Sequence, residues 1–287
     1  MVATGETESR PSEAITQEEI EGTAEAASPK ARNAFAELMS LSKRKAAPPA
    51  KADSRVSKRP AVSSNFSGRH GLGLYTHDPT KVPDSQMVFY NQDFVAIHDL
   101  YPKASIHTLL LSTSARNLEH PFDLFADPEF LKSYQNEVKK LKGIVAAELR
   151  RKYGRFSAQD KYREAILNGD IELADGEELP KGRDWEKDVM VGIHADPSMA
   201  HLHVHVLSVD RCSPCMRNKH HYNSFSTPYF IDIADFPLAA NDERRHPWKM
   251  GYLNRDLLCW RCGMNFGNKL AQLKRHLEEE FEAWKAE

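Results

Sequence analysis

The run His201-Leu202-His203-Val204-His205-Val206-Leu207 alternates imidazoles with aliphatic side chains. Successive side chains of a β-strand point to opposite faces. His201, His203 and His205 are therefore expected on one face, and Leu202, Val204 and Val206 on the other, against a core. Imidazole serves as nucleophile, acid or cation near neutral pH without extreme tuning, and three on one strand can divide those roles. A solvated strand face and a histidine metal site are the competing readings. Three side chains spread along a single strand converge poorly on a tetrahedral ion, which favours nucleophilic catalysis.

The flanking segments supply partners. Residues 188–194 read as a neighbouring strand, and Ala195-Asp196-Pro197-Ser198-Met199 turns it into the histidine run. That turn brings His194 and Ser198 to the entrance of the triplet, where a hydroxyl and backbone N–H groups suit an anion. Residues 87–90 and 94–99 read as a hairpin around Asn91-Gln92-Asp93, and 106–111 as a further strand, so Asp99 and His107 sit at adjacent strand ends. A carboxylate there accepts the hydroxyl protons of a ribose, and a strand-end histidine faces a phosphate. In this reading His203 attacks phosphorus to form a covalent phosphoramidate. His205, Ser198 and His107 hold the non-bridging oxygens, Asp99 holds the ribose, and the chemistry requires no metal. Residues 121–153 carry apolar side chains at helical spacing (Phe130, Tyr134, Val138, Leu141, Val145, Leu149) and predict one amphipathic helix on the sheet. Residues 154–186 are polar and predict a surface insertion.

With 287 residues, 28% of them charged, and a net charge of −2, the chain can bury a sizeable core but has no global attraction to nucleic acid. It has no apolar run long enough for a membrane span and no apolar N-terminal leader, which predicts a soluble intracellular protein without a membrane partner. Residues 1–62 combine an acidic start with Lys43-Arg44-Lys45, Pro48-Pro49 and Lys58-Arg59-Pro60, and predict disorder. The basic clusters read as a nuclear localisation signal, a loose phosphate-binding tail or a solvated linker. Phe35, Leu38 and Met39 have the spacing of a short helix that docks on a partner protein. From Asn65 to Pro79 aromatic and basic residues mix. A helix beginning near Ser67 would put Arg69 and His70 on an edge facing nucleic acid, although Gly68, Gly71 and Gly73 weaken it.

Near the C-terminus, Cys259-x2-Cys262, thirteen residues, then His276-x3-Glu280 has the spacing of a zinc finger, with positions 276 and 280 one turn apart on a helix. Glu280 stands where a second histidine is usual; zinc accepts a carboxylate oxygen, and Glu279 or a water is the alternative fourth ligand. One structural Zn2+ is expected. Arg255, Arg261, Lys269, Lys274 and Arg275 surround the site and suit contacts to DNA phosphates. Cys212 and Cys215, with His220 and His221 nearby, are too closely spaced for a second finger, and Lys219 and His220 are read as facing a DNA backbone instead.

The motif His201-x-His203-x-His205 resembles the histidine-triad (HIT) nucleotide hydrolases and transferases, whose middle histidine is the nucleophile. Tyr101-Pro102-Lys103-Ala104, His194-Ala-Asp-Pro-Ser198-Met199 and Ser213-Pro-Cys215-Met-Arg217-Asn218-Lys219, followed by Asn223-Ser-Phe225, are similar to the aprataxin family over most of residues 65–285. The resemblance implies removal of AMP from adenylylated 5′ ends of DNA, at nicks and double-strand ends, in the nucleus. It implies that His203 is the nucleophile, with His201, His205 and His107 beside it, and that Asp99 holds the ribose. Ser198 then joins His107 and His205 at the α-phosphate, with Lys103 and His194 around it or on the DNA 5′-phosphate. It further implies that a residue of the 65–75 segment, Phe66 or His70, stacks on the terminal base pair, and that a Cys2HisGlu zinc site of the fungal type occurs at the C-terminus.

The expected fold class is α+β, a HIT-like antiparallel sheet with packed helices plus a small zinc-finger domain. Residues 1–62 form the tail, 63–230 the catalytic domain and 231–287 the finger. The tail is read as a docking site for repair proteins. A small-molecule HIT phosphoramidase or dinucleoside polyphosphate hydrolase is the alternative, although a small substrate needs neither the finger nor the basic segment before the first strand.

Overall fold

The histidine run lies near the middle of a six-stranded antiparallel sheet in a computed structural model that describes residues 17–20, 24 and 68–287. The strands are β1 (Met87–Tyr90), β2 (Phe94–His98), β3 (His107–Ser112), β4 (Val189–His194), β5 (His203–Ser208) and β6 (Phe230–Asp232), ordered β1-β2-β3-β5-β4-β6. The hairpin between β1 and β2 closes on Asn91, whose side-chain oxygen accepts from the backbone N–H groups of Asp93 and Phe94. Register sets Leu109 opposite His205 and Leu111 opposite His203. One face of the sheet, with Ala96, Leu110, Val191, Val204 and Val206, forms the main core; the other carries His107, His203, His205 and Leu207. All positions of β3 and β5 are buried, so the imidazoles lie in a covered pocket and not on a solvated face.

The expected row of three imidazoles is corrected in one respect: β5 begins at His203, and His201 precedes it. The partner strand has run out there. Ser112 ends β3, and the backbone N–H of Leu202 donates instead to the carbonyl of Asn117 at 2.6 Å. Gly192 sits opposite both His205 and Asp232, and a Cβ on it would lie 2.3 Å from the carbonyl oxygen of Ile231. Only glycine lets β6 pair this closely behind the histidine strand.

Among the described residues, four helices precede the 154–186 segment. α1 is Gln17–Ile20, α2 is Gly73–His77, α3 is Pro121–Leu124 and α4 is Pro128–Tyr153. The single helix expected over 121–153 is thus two, because Asp127 opens a new helix by accepting from the N–H groups of Glu129 and Phe130, with Pro128 in the first turn. Tyr134, Val138, Leu141, Val145 and Leu149 are buried against the sheet as their spacing predicts, each contributing roughly 1.5–3 kcal/mol over an exposed position. The helix expected from Ser67 is instead a 3-10 turn at Gly68–His70 followed by α2. Phe66, the basic clusters of the tail and the 33–39 segment lie outside the described residues.

The 154–186 segment is more than a surface insertion. It contains α5 (Lys161–Leu167) and sends Asp160, Arg183 and Trp185 into the interior. After it come α6 (Lys219–Ser226), α7 (Pro247–Met250) and α8 (Leu270–Ala286). Asp160 accepts from the Arg183 backbone N–H and from Trp185 Nε1. The Arg183 guanidinium lies over the rings of Trp185 and Trp284, donating to Asp188 Oδ2 at 3.0 Å and to the Trp284 carbonyl at 2.6 Å. Trp284 Nε1 donates to Asp188 Oδ1 at 2.8 Å. The insertion therefore clasps the last turns of α8 to the base of the sheet. Arg183→Ala is expected to lower unfolding stability by about 3–5 kcal/mol, because it leaves carboxylate and carbonyl acceptors unpaired and removes the cation between two indoles; denaturant titration at neutral pH measures it.

Candidate active site and metal centre

His203 Nδ1 lies 2.7 Å from the backbone carbonyl of His201. A carbonyl only accepts, so Nδ1 carries the proton and Nε2 keeps its lone pair. Burial lowers the His203 pKa, against the opposing pull of the His201 carbonyl and of Asp99, which keeps the ring neutral near pH 7. A neutral imidazole with one nitrogen pinned and the other open is the form that attacks an electrophile.

A second chain of hydrogen bonds fixes the neighbouring rings. The Lys103 backbone N–H donates to His107 Nδ1 at 3.1 Å, which makes Nε2 the protonated nitrogen of that ring. His107 Nε2 donates in turn to His205 Nδ1 at 2.9 Å. His205 Nε2 must then carry a proton, and this buried donor has no hydrogen-bond partner among the described residues. His194, its ring 4.6 Å from that of His205, likewise has a buried, unpartnered Nε2. The buried Nε2–H of His205, with the unpartnered His194 Nε2 beside it, forms a seat for the oxygens of an anion next to the nucleophile. Asp99 Oδ1 accepts from the Tyr101 N–H, and its Oδ2 lies 3.5 Å from His107 Nδ1. Asp99, His107 and His205 lie close enough for metal ligation, but the two imidazoles spend the facing nitrogens on each other.

Burial dominates the titration of these rings. It pulls His107 down to about 4 from an ordinary 6.5, with Asp99 opposing, and places His194 and His205 well below the usual range. The unfolded chain takes up these protons near 6.5 and the native state only at lower pH. Their stabilisation is thus complete above about 6.5 and is lost as pH falls toward about 4, with about 3 kcal/mol from His107 alone. His107→Gln is expected to flatten the fall in melting temperature between about pH 7 and 4; an unchanged slope would assign the acid sensitivity to other groups.

The remaining expected residues surround this centre. Ser198 is buried in the turn after β4. The Ala200 N–H donates to the Arg69 carbonyl, and Arg69 donates to the Pro197 carbonyl at 3.3 Å, which lays the Gly68–His70 turn along the Ser198 loop. His70 meets His201 edge to face at 6.0 Å. Lys219 and His220 turn toward the C-terminal region, Lys219 to the Asn254 carbonyl and the Asn268 side chain, His220 to Asn254 Oδ1 at 3.2 Å. Lys274 is half-buried on α8 beside Cys212. Sequence reasoning gave no role to His221, which is fully buried on α6, nor to Glu19, whose side chain meets both Lys103 and His221. Neither position belongs to a recognisable pattern, because the contacts span most of the chain.

In the C-terminal region Cys259 and Cys262 sit on a tight knuckle. The Gly263 N–H donates to the Cys259 carbonyl, and the Arg261 N–H points to Cys259 Sγ at 3.4 Å. α8 brings His276 and Glu280 over it, its Leu273 and Leu277 packing with Leu257 and Cys259. The four donor atoms lie within 4.8 Å of one another, with Cys262 Sγ 3.1 Å and Glu280 Oε1 3.3 Å from His276 Nε2. A tetrahedral zinc with bonds of roughly 2.0–2.3 Å needs edges of about 3.3–3.8 Å, so the set fits the ion. Glu280, not Glu279, brings a carboxylate oxygen to the other three donor atoms, and Arg261 holds its other oxygen at 2.6 Å.

A strand of paired, pinned imidazoles and a Cys2HisGlu cluster define a HIT domain joined to a zinc finger. Family models agree: residues 80–211 match the HIT domain and 226–283 the C2HE / C2H2 / C2HC zinc-binding finger. The chain is 34% identical to the aprataxin-like protein of Saccharomyces cerevisiae, over 75% of this chain and 97% of that one. It is 31% identical to the aprataxin-like protein of Schizosaccharomyces pombe, over 76% and 83%. It superposes on the crystal structure of the aprataxin ortholog Hnt3 in complex with DNA with a TM-score of 0.59 at 29% identity, covering 75% of this chain and 96% of that one. The chain belongs to the aprataxin family.

Proposed function

We propose that this protein is a DNA-repair hydrolase that releases AMP from adenylylated 5′ ends of DNA, at nicks and double-strand ends, in the nucleus. The carrying observation is the His203 ring, with Nδ1–H held by the His201 carbonyl and Nε2 left as a lone pair in a buried pocket. Nε2 attacks the AMP phosphorus, the bond from that phosphorus to the DNA 5′-phosphate oxygen breaks, and the DNA leaves as a 5′-phosphate. Water then attacks the same phosphorus, the P–N bond breaks, and AMP departs. The leaving group is a phosphate, which lessens the need for a general acid. His205 Nε2–H and His194 meet the charge that develops on the non-bridging oxygens, with Ser198 at the same seat and His107 holding His205 in the donating tautomer. Asp99 takes the ribose, Lys103 the phosphate region, and His201 positions the nucleophile through its carbonyl.

DNA is the proposed partner on three grounds: family membership, the solved DNA complex of the related Hnt3, and the basic Gly68–His70 turn laid against the Ser198 loop. Arg69, His70 and Lys274 are proposed to contact the polymer, with Phe66 beside them from the preceding segment. Lys219 and His220 hold the junction between catalytic region and finger on which that surface depends. One Zn2+ bound by Cys259, Cys262, His276 and Glu280 would supply a structural cross-link between knuckle and helix. The domain limits 63–230 and 231–287 belong to the same proposal. The test is incubation with a nicked duplex capped by 5′-AMP, scored for free AMP and a ligatable 5′-phosphate. Turnover of small adenylated nucleotides with none on the duplex would favour a small-molecule phosphoramidase and sink the proposal.

A further inference from the structure

The N-terminal region returns to the active site. Glu19 on α1 is buried to 1% side-chain exposure, its Oε1 accepting from Lys103 Nζ at 2.9 Å and its Oε2 3.3 Å from His221 Nε2. The neighbouring Ile20 is buried, and the carbonyl of Ala24 accepts from the Tyr101 hydroxyl at 3.4 Å. The segment is thus held at two points to the loop that shapes the pocket, through Lys103 and Tyr101, and at a third to His221 on α6; the Lys103 N–H sets the His107 tautomer and the Tyr101 N–H binds Asp99. Burial raises the Glu19 pKa, yet His221 and Lys103 outweigh it and hold the carboxyl down to about 2, so the group is an anion throughout the physiological range.

A carboxylate with one oxygen on an ammonium and the other on an imidazole presents the charge and acceptor pattern of two phosphate oxygens. Two anions cannot share such a seat in a buried pocket. We infer that the segment bearing Glu19, Ile20 and Ala24 is an intrasteric plug: its carboxylate occupies a seat for a DNA phosphate between Lys103 and His221, and the substrate must displace it. The inference rests on the DNA reading above. The plug remains tethered to the catalytic domain through residues 25–67, so it re-enters without diffusing away when product leaves.

The test is binding, which needs no turnover. Full-length protein is titrated against a nicked duplex bearing a 5′-phosphate, followed by fluorescence anisotropy. A plug seated about nine-tenths of the time weakens apparent affinity about tenfold, so Glu19→Gln is expected to tighten DNA binding by about that factor. Ile20→Asp, which puts a charge at a buried position of the segment and leaves Glu19 intact, is expected to act in the same direction. A peptide spanning residues 12–28 should compete with the duplex on the Glu19→Gln protein, and the same peptide with Glu19→Gln should not. Unchanged or weakened DNA binding in both variants, or a lowered melting temperature in both with no gain in affinity, would overturn the plug and leave Glu19 as a structural staple. Wild-type protein that binds the duplex but releases no AMP would instead count against the hydrolase proposal alone.

Discussion

Replacing His203 with alanine is expected to cut AMP release from adenylylated nicked DNA by roughly 10^4-fold or more, with DNA affinity held within about twofold. The size follows from the position of the ring. His203 Nε2 is the lone pair that the hydrogen bonds of the pocket leave open, whereas His205 and His107 are tied to each other with their protons assigned. On the proposed mechanism, removing one of those two disturbs oxygen stabilisation, whereas removing His203 removes the bond-forming atom. The affinity is spared because the Gly68–His70 turn and the finger do not depend on the ring. Single-turnover assays with the enzyme in excess, alongside anisotropy binding, separate the two effects. Turnover retained in His203→Ala would end the covalent scheme.

The second large effect concerns zinc. Cys262 is exposed at the rim of the cluster, so Cys262→Ser deletes a ligand without opening a hole in the core. Structural zinc sites return about 10–16 kcal/mol of binding free energy to folding, so this variant is expected to unfold the knuckle and the middle of α8. Loss of one of two tethered binding modules should weaken DNA affinity about 10²-fold. Hydrolysis of a short adenylated nucleotide should change by only about threefold, since the pinned imidazoles belong to the sheet. Equal losses on both substrates would mean that the finger supports the catalytic fold, and Trp284 on the Arg183 clasp is the route by which it would do so. Chelation of the wild-type protein should reproduce the variant.

The register of the central strands was legible because the histidine run alternates with aliphatic residues that must face the core; Val204 and Val206 do so, and His203 and His205 follow by parity. His201 broke the pattern for a reason no periodicity carries: the partner strand ends first, and its residue serves through a carbonyl instead of a ring. The split at Asp127-Pro128 was in principle readable, since an aspartate before a proline is a helix start. The Arg183 clasp was not, because its partners lie 101 positions apart and its polar surroundings resemble a surface loop. Glu19 was hidden in the same way. An acid in an acidic tail carries no sign of the lysine 84 residues on that binds it. Finger spacing picked out Cys259, Cys262, His276 and Glu280, and the structure brings donor atoms of these four within 4.8 Å of one another.

The central claim is that phosphorus passes through a bond to His203 Nε2 on its way to water. The stereochemical course at that phosphorus tests it most directly, using adenylylated DNA with a chiral phosphorothioate in the AMP moiety hydrolysed in isotopically labelled water. Two successive in-line displacements give net retention, which is the expected result; net inversion would mean that water attacks directly and would contradict the account.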